Sequence, residues 1–370
     1  ASWRMSDRDP LLVTPGNLPG FGMASTGTAD DGNANYDDGD MYSLILKGVH
    51  DFELRKGDFG VFLRAKYWYD QDLEKGNVPH GNSSNLYMSN MPLDDSGFDD
   101  FAKASGIELL DAFLYGTFYL GENEAPLDLR IGRQVASWGE STFIQNGINS
   151  INPIDVSAFR RPGAEIKEGL LPVNMVTVGI GLTDALSVDA FYQLDWEKTV
   201  IDGCGTYFST ADVAATGCNI VTLRGDLPDS ANMANGLFIS RLPDIEPDDS
   251  GQWGVSFRYF AEQLAGSEFG VYYMNYHSRI PYLGGVSGTN TLIPTEAIPP
   301  ALVAGLTPVI GSPPWTFVPG NLLGGNPQYF AEFPEDIELF GASFATNFAG
   351  FAVSGEVSYR PDFPVQINTT

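Results

Sequence analysis

No stretch of this 370-residue chain approaches the roughly 18 consecutive apolar residues that a membrane-spanning helix needs. A helical membrane protein is thereby excluded. Positive charge is also scarce: 20 Lys and Arg stand against 47 Asp and Glu, a formal net charge of −27, so nucleic acid would be repelled. Histidine is limited to His50, His80 and His277, none beside a G-x-S-x-G elbow or in a metal-ligand pair, and the chain reads as a non-enzyme. Cysteine is limited to Cys204 and Cys218, close together in one loop, where in an oxidising compartment they most simply bond to each other. No export signal opens the chain, so any such signal is expected to have been removed.

What the sequence does contain is alternation. In Leu127–Gln134, Leu127, Leu129 and Ile131 share one face of a strand while Asp128 and Arg130 share the other, and about thirty irregular residues follow Trp138. The unit recurs at roughly Tyr42–Arg55, Phe59–Asp70, Glu108–Gly121, Met175–Thr183, Leu186–Lys198, Trp253–Glu262, Phe269–Arg279, Ile337–Asn347 and Phe351–Arg360. Short connections alternate with long ones, at about 71–107, 142–174, 201–252 and 280–335, beside a leading loop of about 5–40. Ordinary connections have a median of about 4–6 residues. This rhythm predicts an all-β chain forming one domain over 1–370: a transmembrane, antiparallel, up-and-down β-barrel with short periplasmic turns and long extracellular loops.

Each predicted strand has an oily side and a wet side. In Phe59–Asp70 the lipid set is Val61, Leu63, Ala65, Tyr67 and Tyr69; in Glu108–Gly121 it is Leu110, Ala112, Leu114, Gly116, Phe118 and Leu120; in Leu186–Lys198 it is Leu186, Val188, Ala190, Tyr192, Leu194 and Trp196, with Tyr192 and Trp196 fitting an aromatic girdle. The other faces give a lumen lined by Arg64, Lys66, Trp68, Asp111, Tyr115, Asp128, Arg130, Arg133, Asp189, Asp195, Glu197, Arg258 and Glu356. Arg133 joins that set only if a bulge at Gly132 swings it inward, since strict alternation turns it to lipid. The faces of Phe269–Arg279 cannot be assigned. Such lining groups either cross-brace a plugged barrel or flank a transport path.

Three loops invite specific expectations. The loop after Trp138, with Asn146, Asn149, Arg160 and Arg161 and a helical turn near Glu165–Leu171, either folds inward as a constriction or packs over the rim. Asp30, Asp31, Asp37, Asp38 and Asp40 crowd oxygen ligands at short spacing; they are either a solvated acidic run or a site for calcium, although the EF-hand pattern is absent. The 280–335 loop is unusually apolar around Leu302, Val303, Leu306 and Trp315, which suits either a surface for a hydrophobic substrate or loops closing on one another.

Ala1-Ser-Trp-Arg with Arg8-Asp-Pro, Asp30-Asp-Gly-Asn-Ala-Asn-Tyr-Asp, the long block from Gly132 to Asn149, Asn152-Pro-Ile-Asp, Phe191-Tyr-Gln-Leu-Asp-Trp-Glu-Lys-Thr and Gly205-Thr-Tyr-Phe-Ser-Thr together resemble a proteobacterial outer-membrane family catalogued only as a domain of unknown function. The resemblance covers most of the chain and implies a β-barrel longer than this sequence, with strands missing at both ends. It further implies partnership with a periplasmic protein like lipoprotein carriers and an RND-type inner-membrane transporter, in contact with outer-membrane lipid and lipopolysaccharide of a Gram-negative bacterium. The expected function is movement of hydrophobic or lipid-like molecules across the outer membrane, with no organic cofactor. The alternatives are a porin for small polar or aromatic solutes and a structural or adhesive barrel.

Overall fold

The computed structural model describes residues 1–122, 124–141, 147–286, 327–348 and 350–366. Ten strands form one sheet in chain order, every neighbour antiparallel. They are β1 (Ile45–Lys56), β2 (Phe59–Asp70), β3 (Ser105–Leu120), β4 (Ala125–Gln134), β5 (Val173–Thr183), β6 (Leu186–Gln193), β7 (Trp253–Ala261), β8 (Ser267–Tyr276), β9 (Ile337–Phe348) and β10 (Phe351–Tyr359). All ten alternating segments are therefore strands. Among the described residues β1 and β10 remain the two edges of this sheet, which does not close on itself. Among the described residues no helix is long and apolar enough to cross a membrane.

Period-two alternation sorts the side chains cleanly. One face, here the outer, exposes Leu46, Phe52, Leu54, Leu63, Leu114, Phe118, Ile131, Tyr192, Phe257, Val271, Val353 and Val357. Among the described residues, nothing covers these side chains. β8, whose faces its sequence leaves ambiguous, alternates strictly: Phe269 and Val271 are exposed, while Tyr272, Met274 and Tyr276 are buried on the inner face.

Three expectations fail locally, each for a visible reason. The β2–β3 register slips between Leu63, opposite Ala112, and Ala65, opposite Leu109, so two residues of β3 face Arg64 alone. This bulge turns Leu110 inward, where it is fully buried, and the outer row continues through Leu109 (47% exposed) and Ile107 (76%) instead. Conversely, no slip occurs at Gly132, which pairs with Phe113 and Met175 in unbroken register. Arg133 accordingly stays in phase with Ala112 and Asn174, and Glu197 receives its guanidinium through two hydrogen bonds. Gly132 itself has φ +130°, and a Cβ there would lie 2.4 Å from the Ala112 carbonyl oxygen, so the position accepts only glycine. Third, β6 ends at Gln193, five residues before the alternating pattern does. Trp196 is then no girdle residue: it is buried against Ala331 and Phe333 and donates its indole N–H to the Ser278 carbonyl.

Short connections lie at one end of the sheet and long ones at the other. The long ones carry structure of their own. Ser2–Trp3 pairs with Met41–Ser43, and Ile220–Thr222, Phe238–Arg241, Gln328–Glu332 and Tyr282–Val286 form a four-stranded sheet containing one parallel pair. Among the described residues five short α-helices lie in them, at Asp31–Asn35, Gln71–Lys75, Val156–Arg160, Ile166–Gly169 and Asp229–Ala234. The last but one falls within the helical turn expected near Glu165–Leu171.

The larger core lies between the inner face and the β4–β5 connection. Trp138, Ile148 and Ile151 of that connection pack on Val173, Met175, Phe191, Tyr272, Met274 and Leu339. Each fully buried side chain of this size contributes roughly 1.5–3 kcal/mol, so the connection is a structural layer instead of a solvated loop.

Candidate functional site

The inner face carries its charges in pairs across neighbouring strands. Arg64 on β2 donates from Nε to Asp51 Oδ1 on β1 (2.8 Å) and from a terminal nitrogen to Asp111 on β3 (3.0 Å). Arg258 on β7 meets Asp189 on β6 at 2.7 Å, Thr117 donates to Asp128 at 2.6 Å, and Tyr115 donates to Glu53. Arg130 lies over the Phe113 ring, and Trp68, stacked on Phe101, gives its N–H to the Lys103 carbonyl. Strand alternation thus gathers Arg64, Lys66, Trp68, Asp111, Tyr115, Asp128, Arg130, Asp189, Arg258 and Glu356 on one face. Asp195 and Glu197 lie beyond the end of β6, where Asp195 accepts from the Asn174 backbone and amide and Glu197 holds Arg133.

The β4–β5 connection is fastened across this face at its middle and at both sides. Asn152 accepts from Ala136 N (2.9 Å) and donates to the Leu171 carbonyl (2.8 Å), tying the start of the connection to its end. Asp155, fully buried, receives Lys66 Nζ at 2.9 Å on one oxygen, while the other accepts Ser157 Oγ and the Ala158 N–H to cap the helix Val156–Arg160. Those two roles account for the Asn152-Pro-Ile-Asp155 motif. Glu356, on the edge strand β10, accepts the backbone N–H groups of Glu140 (2.7 Å), Ser141 (3.1 Å) and Ile148 (2.9 Å). Arg360 donates to the Gly147 carbonyl and Ser150 Oγ beside it. Removing the Glu356 carboxylate by Glu356→Ala strands three donors, and the expected result is faster backbone hydrogen exchange confined to 139–150, with the ten-stranded sheet still protected.

Of the expected constriction residues, Arg160 pairs with Asp202 and covers the Phe208 ring, and Arg161 lies over Trp68 and donates to the Phe101 carbonyl. Asn149 lines a cleft with Ile154, Val156, Ile280, Ile337 and Phe363, an apolar wall rimmed by Ser278 and Arg279. Arg279, largely buried, donates to the carbonyls of Ile151 and Glu197 and to the amide oxygens of Gln193 and Gln252. Asn146 and the apolar-loop residues Leu302, Val303, Leu306 and Trp315 lie outside the described residues.

The acidic run divides. Asp37 pairs with Arg8, and Asp40 accepts from the Asp37 backbone, forming an exposed turn with Asp38. Asp30 and Asp31 turn into the cap that the long connections form at their end of the sheet, next to His80, Asp212 and Asp229. Burial pushes the Asp31 carboxyl up to about 7 against the opposing pull of His80, and raises Asp30 and Asp212 as well. Burial alone would lower the His80 imidazole, but the carboxylates of Asp229 and Asp31 outweigh it and raise it to about 10. The N-terminal motif is explained here too: Arg4 and Arg8 donate to the carbonyls of Asn33, Ala34 and Tyr36 at the C-terminal end of Asp31–Asn35, where a helix favours positive charge.

Cys204 and Cys218 form a disulfide, with Cα atoms 5.9 Å apart, inside a core that includes Trp68, Phe98 and Phe101. His277 Nδ1 accepts the Asp336 N–H, and its Nε2 faces the Ser250 carbonyl. Sequence reasoning missed Asp155, Arg279, Asp212 and Asp229 as organising groups, because each acts through partners far away in the chain. No curated protein matches the chain. Asn152 and Asp155 tie the β4–β5 connection together and to the sheet, arginines cap the Asp31–Asn35 helix, and the chain belongs, over residues 1–370, to the family described as Protein of unknown function (DUF1302).

Proposed function

We propose that this chain is the barrel-forming part of an outer-membrane transport component that moves hydrophobic or amphiphilic molecules. The observation that carries the reading is the two-sidedness of the ten-stranded sheet. Its outer face exposes apolar and aromatic side chains strand after strand, whereas a soluble monomer usually keeps contiguous apolar patches to a few hundred Å², and its inner face pairs charges under a packed connection. Water on both sides would leave the outer face unexplained. In this reading the sheet's missing partners close the barrel in lipid, the β4–β5 connection narrows the lumen, and the cap faces outward. Partnership with a periplasmic carrier and an RND-type transporter would supply direction.

The cleft beside Asn149 favours an amphiphilic substrate, because its wall of Ile154, Val156, Ile280, Ile337 and Phe363 meets a polar rim. A second reading, a porin for small polar solutes, draws on the paired charges and aromatic rings of the inner face. Liposomes of outer-membrane lipid containing the whole protein separate the two: entry of an apolar fluorescent probe without sugar permeation supports the first, and sugar permeation without probe uptake supports the second. Neither flux, with the protein correctly inserted, would reject transport.

A further inference from the structure

Asp30, Asp31 and Asp212 are buried almost completely, at 1%, 0% and 1% exposure, yet each has one oxygen that is held and one that has no donor. Asp30 Oδ2 accepts from Thr14 N, Thr14 Oγ1 and Asn17 Nδ2 at 2.9–3.0 Å, leaving Oδ1 without a partner. Asp31 Oδ1 is held by His80 Nε2 at 3.0 Å, leaving Oδ2. Asp212 Oδ2 accepts the Asp31 N–H at 3.2 Å, leaving Oδ1. One carboxylate oxygen of each of the three lies within 4.8 Å of one from both others. Asp229 closes the group, its Oδ2 accepting Asn17 Nδ2 at 2.6 Å and facing His80 Nε2 at 3.4 Å.

His80 meets only Asp31 and Asp229, and three buried carboxylate oxygens of the group are left without a donor, which costs free energy unless another partner is supplied. Each carboxylate is oriented through one oxygen, which leaves the other free to act as a ligand, as protein groups do when they fix the ligands of an ion. Oxygen atoms at such separations suit a cation bound at 2.3–2.6 Å by hard oxygen ligands. We propose that Asp30, Asp31 and Asp212 bind a calcium-class divalent cation, with His80, Asn17 and Thr14 as positioning residues. The site would clamp three segments distant in sequence: the N-terminal stretch, the β2–β3 connection through His80, and the β6–β7 connection through Asp212 and Asp229. Gly27 forms part of its wall, since a Cβ there would come within 3.4 Å of the Oδ1 atoms of both Asp30 and Asp229 and 3.1 Å of Thr222 Oγ1.

The test uses the whole protein in detergent, stripped with EDTA and dialysed, then titrated calorimetrically with Ca²⁺, Mg²⁺ and Zn²⁺ and checked for bound metal by mass spectrometry. The expected result is one Ca²⁺ per chain, a raised thermal midpoint on Ca²⁺ addition, and weaker binding of the other two ions. Asp212→Asn should abolish binding while raising the midpoint in EDTA, because it removes one of the crowded charges. His80→Ala should weaken binding by about 10–100-fold. Asp37→Asn with Asp38→Asn should leave binding unchanged. Absence of a bound ion and of any Ca²⁺-dependent midpoint shift in the wild-type protein would overturn the proposal even if every variant misfolded. So would tighter binding of Zn²⁺ than Ca²⁺, or loss of binding only in the Asp37/Asp38 variant.

Discussion

Asp155→Ala is expected to destabilise the protein by about 3–5 kcal/mol, the typical result of removing one partner from a buried ion pair. Lys66 and Asp155 are both enclosed, and Lys66 also lies over the Phe101 and Trp68 rings, so the ammonium has no water to turn to once the carboxylate is gone. The same substitution uncaps Val156–Arg160, which by itself costs about 0.5–2 kcal/mol. Urea unfolding in lipid vesicles measures the loss, and conductance should rise as the β4–β5 connection lifts from the inner face. A double variant, Lys66→Met with Asp155→Leu, should recover much of the loss because a well-packed apolar pair can replace a buried salt bridge. If Asp155→Ala stays within about 1 kcal/mol of the wild type, the ion pair does not fasten the connection.

Leu114→Arg is the second large effect. Leu114 sits on the outer face in register with Val61 on one side and Ile131 on the other, 60% exposed, and alternation leaves it no route inward. In a lipid-facing position an arginine near the middle of the bilayer costs roughly 2–4 kcal/mol. Ser187→Arg, on the inner face beside Arg258 and Asp189, should cost far less because water and carboxylates are at hand. Folding yields into vesicles, followed by the gel shift of a heat-resistant barrel, give the comparison. Equal tolerance at both positions would mean that the outer face is bathed in water.

The strands were legible because a two-sided sheet writes its period directly into the chain: Phe59–Asp70 and Leu127–Ile131 alternate almost without exception. Where the pattern misled, neighbouring residues were equally suited to both faces. Leu109 and Leu110 are both leucine, so the bulge opposite Arg64 leaves no compositional mark. Leu194–Lys198 continues to alternate after the backbone has left the sheet, since Trp196 finds its partner in another connection and Glu197 finds Arg133 near the end of β4. The cap was illegible for a different reason. Its contacts join residues far apart, Lys66 with Asp155 across 89 positions and Asp31 with Asp212 across 181, and local periodicity carries no information about such pairs. The acidic run at Asp30–Asp40 drew notice as a cluster of ligands, yet two of its members join acids from another connection while the rest form a surface turn.

The central claim is that one face of the ten-stranded sheet meets lipid and the other an aqueous lumen. Single cysteines carrying nitroxide labels at alternating positions along β8 and β10, in vesicles and with the buried Cys204–Cys218 bond left intact, test it most directly. Labels at Val271, Val353 and Val357 should collide with dissolved oxygen and be shielded from a water-soluble nickel complex, and labels at Gly270, Ser354 and Ser358 should show the reverse. Access of the nickel complex to all six positions would contradict the account.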